Sequence, residues 1–323
     1  MLEGAALDDV GDGPRPRPPK SLRLSRGGPC SWAVAMPGGS TWRVEFVSVF
    51  MWGAGGGRPR WAVIGSLVRG LVASLIALGV SSYAGQARAA AAPVPHIFDA
   101  KGVKIRYLVQ GDGEPAVLIH GLYSSAELNW QRTGIMRALA RDHQAIALDL
   151  LGHGGSDRPE GAEAYGLHVV EDVVLLLDVL KVERAHVVGY SLGGMVALKF
   201  IATHPDRVIS ATIGGMGWLR EGGRLQEMWG RMPVRQGSRT PAAFVHGISK
   251  LALTEGELRA IRAPVIVLVG DRDPVKRLYV SPLRTVRRDW PVVEIRDAGH
   301  LNCIVKKQFA DEIVTWVAEH TTK

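Results

Sequence analysis

The chain has 323 residues, 46% of them hydrophobic and 22% charged, with only 2 cysteines. That composition excludes wholesale disorder and a scaffold built on disulfides. The net charge of +8 invites a nucleic-acid reading, yet residues 1–89 hold ten basic and five acidic side chains. The remaining 29 basic and 26 acidic residues form no cluster that would follow a phosphate backbone, so no nucleic-acid partner is expected.

Residues 1–57 mix a Pro-rich basic stretch with Gly-rich patches and sustain no period of 2 or 3.6 residues. Residues 1–50 are expected to be a disordered upstream extension. Arg58 and Arg60 then precede an apolar stretch over 61–80, broken by Arg69. Its unbroken part, 70–80, is shorter than the roughly 20 apolar residues that a membrane span needs. Small and polar residues follow, ending in Ala87-Arg88-Ala89. A basic start, a short apolar middle and a small-residue exit make up a secretory signal peptide. Residues 51–89 are therefore expected to be one, with translation starting at Met51. The mature protein would be secreted or periplasmic with no stable membrane span; an uncleaved anchor is the alternative. Export would leave Cys303 without a partner, because Cys30 lies in the leader.

From residue 96 onward, short β-rich runs alternate with helical patterns. Residues 97–100 and 103–109, separated by Lys101-Gly102, predict a hairpin. The runs at 116–119, 145–148, 185–188, 208–213, 265–269 and 292–295 are mainly apolar rather than regularly alternating, as parallel strands covered on both faces are. Leu167, Val170, Val174 and Leu177 fall at helical spacing, as do Phe309, Ile313, Trp316 and Val317. The alternation predicts an α/β fold, a mostly parallel sheet with helices on both faces and an antiparallel hairpin at its start. Between Gly215 and Arg262 no strand is evident, and one helix is expected over 254–261, the rest forming a small lid.

The run at 185–188 leads into Gly189-Tyr190-Ser191-Leu192-Gly193, followed by a helical pattern over 195–202. A serine on so sharp a strand-to-helix turn needs small neighbours two positions away, and Gly189 and Gly193 supply them. The turn sets the Ser191 hydroxyl at a helix N-terminus, where the Leu192 amide can donate to a developing oxyanion. A serine nucleophile needs a base, and the base an orienting acid. Downstream, Gly270-Asp271-Arg272-Asp273 and Asp297-Ala298-Gly299-His300 each follow a strand run. This G-x-S-x-G elbow with its downstream acid and histidine resembles the α/β-hydrolase superfamily.

By that resemblance residues 90–323 form the hydrolase domain, with the lid at about 216–253. It implies Ser191 as nucleophile, His300 as general base and Asp273 as orienting acid, with Asp271 a turn residue. It also implies that the Leu122 amide, after His120-Gly121, is the second oxyanion donor, and that residues 149–156 shape the pocket wall. Tyr123, Tyr190 and Trp218 are candidate pocket residues, although residues such as Trp218, Trp229, Met228 and Met232 more often form lid core than a specific binding box. A metal set drawn from His120, Asp149, His153 and Asp157 fits no standard ligand spacing, so neither metal nor organic cofactor is expected.

The expected partner is a small uncharged ester or acyl compound, and the expected activity is ester hydrolysis of the carboxylesterase or lipase kind. The same triad would serve a carbon–carbon bond hydrolase, an acyltransferase or a perhydrolase. A non-catalytic binding module on this fold is a further alternative.

Overall fold

The structure, a computed structural model, describes residues 32–35, 41–44, 92–234 and 236–322. The proposed signal peptide at 51–89 lies outside the described residues, as does most of 1–50. Within 1–50, β1 (Trp32–Ala35) and β2 (Thr41–Val44) pair antiparallel, Trp32 opposite Val44. This pairing is not expected from the sequence, because residues 1–57 sustain no period of 2 residues. This ribbon belongs to a separate unit, residues 1–66.

The main unit is built on eight strands: β3 (Val94–Ala100), β4 (Val103–Gln110), β5 (Glu114–Ile119), β6 (His143–Leu148), β7 (Ala185–Tyr190), β8 (Val208–Gly214), β9 (Val265–Gly270) and β10 (Val292–Ile295). Their order across the sheet is β10-β9-β8-β7-β5-β6-β4-β3. The five pairings from β10 to β6 are parallel, whereas β6–β4 and β4–β3 are antiparallel. Lys101 (φ 57°) and Gly102 (φ 95°) turn the β3–β4 hairpin, and the Asp99 carboxylate accepts the Gly102 N–H at 2.8 Å. Two successive positive φ values give the turn the twist that a tight hairpin requires.

The predicted α/β class is what the chain adopts. Every residue of β7, β8 and β9 is buried, which is why apolar residues dominate those runs. Their side chains still alternate between faces. Val117, Ile119, Val187, Ile213 and Val267 pack into one core, whereas Ala116, Leu118, Val188, Ile266 and Leu268 pack into another.

The helices, in chain order, are α1 (Ile135–Leu139), α2 (His168–Val179), α3 (Leu192–Thr203), α4 (Arg224–Gly230), α5 (Ala242–Gly247), α6 (Glu255–Ala260), α7 (Ser281–Val286) and α8 (Lys307–Glu319). The first core receives Val173 and Leu176 of α2 and Val196 and Phe200 of α3; the second receives Ile135 of α1 and Phe309, Ile313 and Val317 of α8. Burying each such side chain contributes about 1.5–3 kcal/mol. Two apolar layers thus fix the sheet from both sides and leave its carboxyl edge free for function.

Between β8 and β9 three short helices form where one was expected. Only α6 carries a local sequence signal: Thr254 caps it, accepting the Glu257 N–H at 3.0 Å, while Glu257 accepts the Thr254 N–H at 2.7 Å. Helices α4 and α5 have 7 and 6 residues, too short to display an amphipathic period. Among the described residues no helix is long and apolar enough to cross a membrane.

Candidate active site

Ser191 stands between the last residue of β7 and the first of α3, with φ 54° and ψ −118°. A non-glycine residue reaches that region only when its surroundings hold it there. The Ser191 N–H donates to Gly214 O on β8 at 2.8 Å, and the Gly194 N–H donates back to Ser191 O at 2.8 Å. A Cβ on Gly189 would land on the carbonyl oxygen of Gly193, and one on Gly193 on that of Ile119. Both glycines are therefore required by backbone contact, and the strand and helix could not meet this closely otherwise.

The loops after β9 and β10 bring two further groups to Ser191. The Ser191 Oγ lies 2.9 Å from His300 Nε2, and His300 Nδ1 lies 2.8 Å from Asp273 Oδ2. The Asp273 side chain is fully shielded, and its Oδ1 accepts the Val275 N–H at 2.9 Å. A carboxylate facing Nδ1 keeps the imidazole proton on that nitrogen, which leaves the Nε2 lone pair directed at the serine hydroxyl. The His300 side chain is 30% exposed, so a substrate can reach it.

Asp271 occupies a different position. Its carboxylate accepts the Ala298 and Asp297 N–H groups, each at 3.0 Å, and these bonds hold it below the usual carboxylate range. It splices the β9 loop to the loop that carries His300.

The oxyanion side is built around Gly121. A Cβ placed on Gly121 would meet Ser191 Cβ at 3.3 Å, so the turn after β5 lies against the nucleophile. Asn129 Oδ1 accepts the Gly121 N–H at 2.8 Å, a support the sequence did not signal. Among the described residues the Leu122 and Leu192 amides donate to no backbone or side-chain acceptor. His120 is buried beneath this turn: its Nε2 accepts the Leu150 N–H at 3.0 Å and its Nδ1 donates to Gly121 O at 2.8 Å. Burial pushes its pKa down, so it serves as a neutral brace.

Asp149 ties residues 149–156 down, accepting the Ala126 N–H at 2.7 Å, the Gly155 N–H at 2.9 Å and Arg106 Nη1 at 2.8 Å. These bonds fill three of the carboxylate's roughly four acceptor positions.

The three candidate pocket residues separate. Tyr123, at φ 60°, lines a cavity of about 370 Å³ that also includes Ser124, His153 and Arg158. Tyr190 does not line it. It is buried, stacks on His300 with ring centroids 5.9 Å apart, and donates its hydroxyl proton to His300 O. Trp218 is also buried, its Nε1–H donating to Leu253 O at 2.8 Å beside the Arg220–Leu253 bridge. Both aromatics are thus supports, because their polar atoms are already bonded inside the protein. Cys303 is buried too, and desolvation pushes its thiol up to about 12.

With this geometry in view, the α/β hydrolase fold family matches residues 115–247. A 2-hydroxymuconate semialdehyde hydrolase of Pseudomonas sp. (strain CF600) is 36% identical over 141 residues, which are 42% of this chain and 48% of that protein. The chain thus spans about half the length of that relative. A 2-hydroxy-6-oxo-2,4-heptadienoate hydrolase of Pseudomonas putida is 33% identical over 220 residues, covering 64% of this chain and 75% of the relative. Among solved structures, a meta-cleavage product hydrolase from Pseudomonas fluorescens IP01 aligns with a TM-score of 0.57 at 23% identity. That alignment covers 69% of this chain and 97% of the other.

Proposed function

The chain belongs to the α/β hydrolase family, and from that premise we propose that it is a serine hydrolase that cleaves carboxylic esters by way of an acyl-enzyme. One observation carries the reading: the unbroken path from Ser191 Oγ through His300 to the buried Asp273, with steps of 2.9 and 2.8 Å. His300 Nε2 takes the Ser191 proton as Oγ attacks the carbonyl carbon, while Asp273 stabilises the imidazolium. The Leu122 and Leu192 amides hold the oxyanion, a contribution worth roughly 10²–10³ in turnover per donor. His300 then returns the proton to the departing alcohol oxygen, and a water activated by the same base releases the acid.

A fluorophosphonate probe tests this directly. Labelling is expected at a single serine, Ser191, and Ser191→Ala is expected to lose both labelling and turnover. A protein that keeps its ester turnover after that substitution overturns the proposal, and one that is neither labelled nor active on any ester favours a binding module.

A second reading is favoured by the two hydrolases at 36% and 33% identity, whose named substrates contain no ester bond, so that their hydrolysis must break a bond between carbons. The same relay would serve a carbon–carbon hydrolase acting on a vinylogous diketone. A chain-length series of nitrophenyl esters set against such a diketone separates the two by kcat/KM. Epoxide hydrolysis is not proposed, since that branch of the family uses a carboxylate where Ser191 stands. Export through residues 51–89 stays part of the proposal, and N-terminal sequencing of the secreted protein tests it. A mature terminus well upstream of Ala87 would rule that signal peptide out.

A further inference from the structure

We propose that the cavity beside the oxyanion turn receives a carboxylate borne on the acyl chain of the substrate, held by Arg158 and Arg239. This deepens the serine-hydrolase reading and rests on it for the identity of the reacting carbonyl. It also replaces the uncharged acyl group expected from the apolar residues of the lid segment.

The cavity measures about 370 Å³. Its lining includes Tyr123 and Ser124 from the oxyanion turn, His153 and Arg158 from the loop after β6, and Arg239 and Thr240 from the segment between β8 and β9. None of its described lining residues is acidic. Neither arginine forms an ion pair with a carboxylate among the described residues. Arg158 is instead fixed by two main-chain carbonyls, Nη1 to Ser156 O at 2.9 Å and Nη2 to Gly154 O at 2.7 Å, and its buried Nε has no partner there. Two neutral acceptors orient the guanidinium and leave its charge uncancelled. A rigid, uncompensated guanidinium is suited to a carboxylate. His153 does not compete for the role. It is 2% exposed, and burial, the nearby His120 ring and Arg158 hold its pKa down to about 3, so it forms a neutral wall.

Position gives the cavity its place in the reaction. The Ser124 N–H donates to Gly121 O, closing a four-residue turn whose first residue lies against Ser191. Such a turn spans less than about 7 Å, so the cavity wall begins within a short acyl chain of the nucleophile. In sheet order, β5 and β6 lie on one side of β7, whereas β9 and β10, which carry Asp273 and His300, lie on the other. His300 must reach the leaving oxygen to protonate it, so the alcohol departs on the β10 side. The acyl chain therefore extends toward β5 and β6, where the two arginines wait.

The test compares two nitrophenyl esters of one five-carbon acyl chain, one ending in a free carboxylate (hydrogen glutarate) and the other in its methyl ester. The wild-type protein is expected to prefer the carboxylate by at least about tenfold in kcat/KM, and added salt is expected to shrink that preference. In Arg158→Gln and in Arg239→Gln the ratio is expected to fall toward parity. Arg239 lies on an exposed loop, so its variant stays informative if Arg158→Gln fails to fold. Equal or better turnover of the methyl ester by the wild type overturns the proposal, as does a preference that survives Arg239→Gln.

Calorimetric titration of glutarate into Ser191→Ala needs no turnover. Binding that weakens at least about tenfold when Arg239→Gln is added supports the carboxylate site even if no ester is cleaved. Absence of binding removes the site even if neutral esters are cleaved.

Discussion

Tyr190, the residue before the nucleophile, donates its hydroxyl proton to the main-chain carbonyl of His300 and lies under that residue's ring. The side chain is buried, and burial holds its phenol well above the usual range, so it remains a donor. Nucleophile and base are thereby joined through a side chain whose hydroxyl is already bonded within the protein. Tyr190→Phe keeps the packing on Phe309 and loses the bond, at a cost of about 1 kcal/mol in stability. As a positioning effect, kcat is expected to fall several-fold with KM nearly constant. A change confined to KM would show that Tyr190 faces the substrate after all.

The two aspartates after β9 are expected to respond differently. Asp273→Asn reverses the hydrogen-bond demand at His300 Nδ1 and should lower kcat by about 10⁴ while leaving the fold intact. Asp271→Asn gives up acceptor strength toward the Asp297 and Ala298 amides. Its expected effect is a lower Tm, with a much smaller fall in turnover. Circular-dichroism melting beside ester kinetics on both variants separates orientation of the base from closure of the loop.

Gly193→Ala should be among the most damaging single-methyl changes in the chain, because the new Cβ would strike the Ile119 carbonyl. The elbow must then open, moving Ser191 away from His300. Loss of fluorophosphonate labelling is expected together with destabilisation of about 2 kcal/mol or more. A folded, fully labelled Gly193→Ala protein would mean that the backbone contact is dispensable.

A pH effect on stability is expected through Asp172 on α2. That residue is 6% exposed, its Oδ2 has no partner among the described residues, and burial, aided by Glu171, pushes its pKa up to about 7. An acid with a raised folded-state pKa holds its proton more tightly when folded, so its contribution is complete below the ordinary carboxylate range and is lost as pH rises through about 7. Asp172→Asn should relieve on the order of 3–4 kcal/mol near pH 8 and flatten the dependence of Tm on pH. An unchanged slope would show that Asp172 is not its source.

The parallel strands are legible in sequence because burial on both faces demands unbroken apolar runs, as at 265–269. The elbow is legible because two backbone collisions allow only glycine at 189 and 193. Strand order is less accessible, since β5 between β6 and β7 depends on contacts far apart in the chain. Side-chain direction is hidden as well. Tyr190 and Trp218 advertise an aromatic surface near the nucleophile, but sequence does not say that Leu253 O and His300 O already accept their donors. Asn129 escapes notice for a related reason, because an amide eight residues from Gly121 carries no motif. The cavity at Arg158 and Arg239 exists only once the loop after β6 and the segment before β9 are brought together.

The interior position of Cys303 has a practical consequence. Alkylating reagents and air meet no accessible sulfhydryl among the described residues, so electrophilic probes should mark oxygen there in preference to sulfur. Cys303 itself should accordingly stay reduced when the protein is handled without reductant.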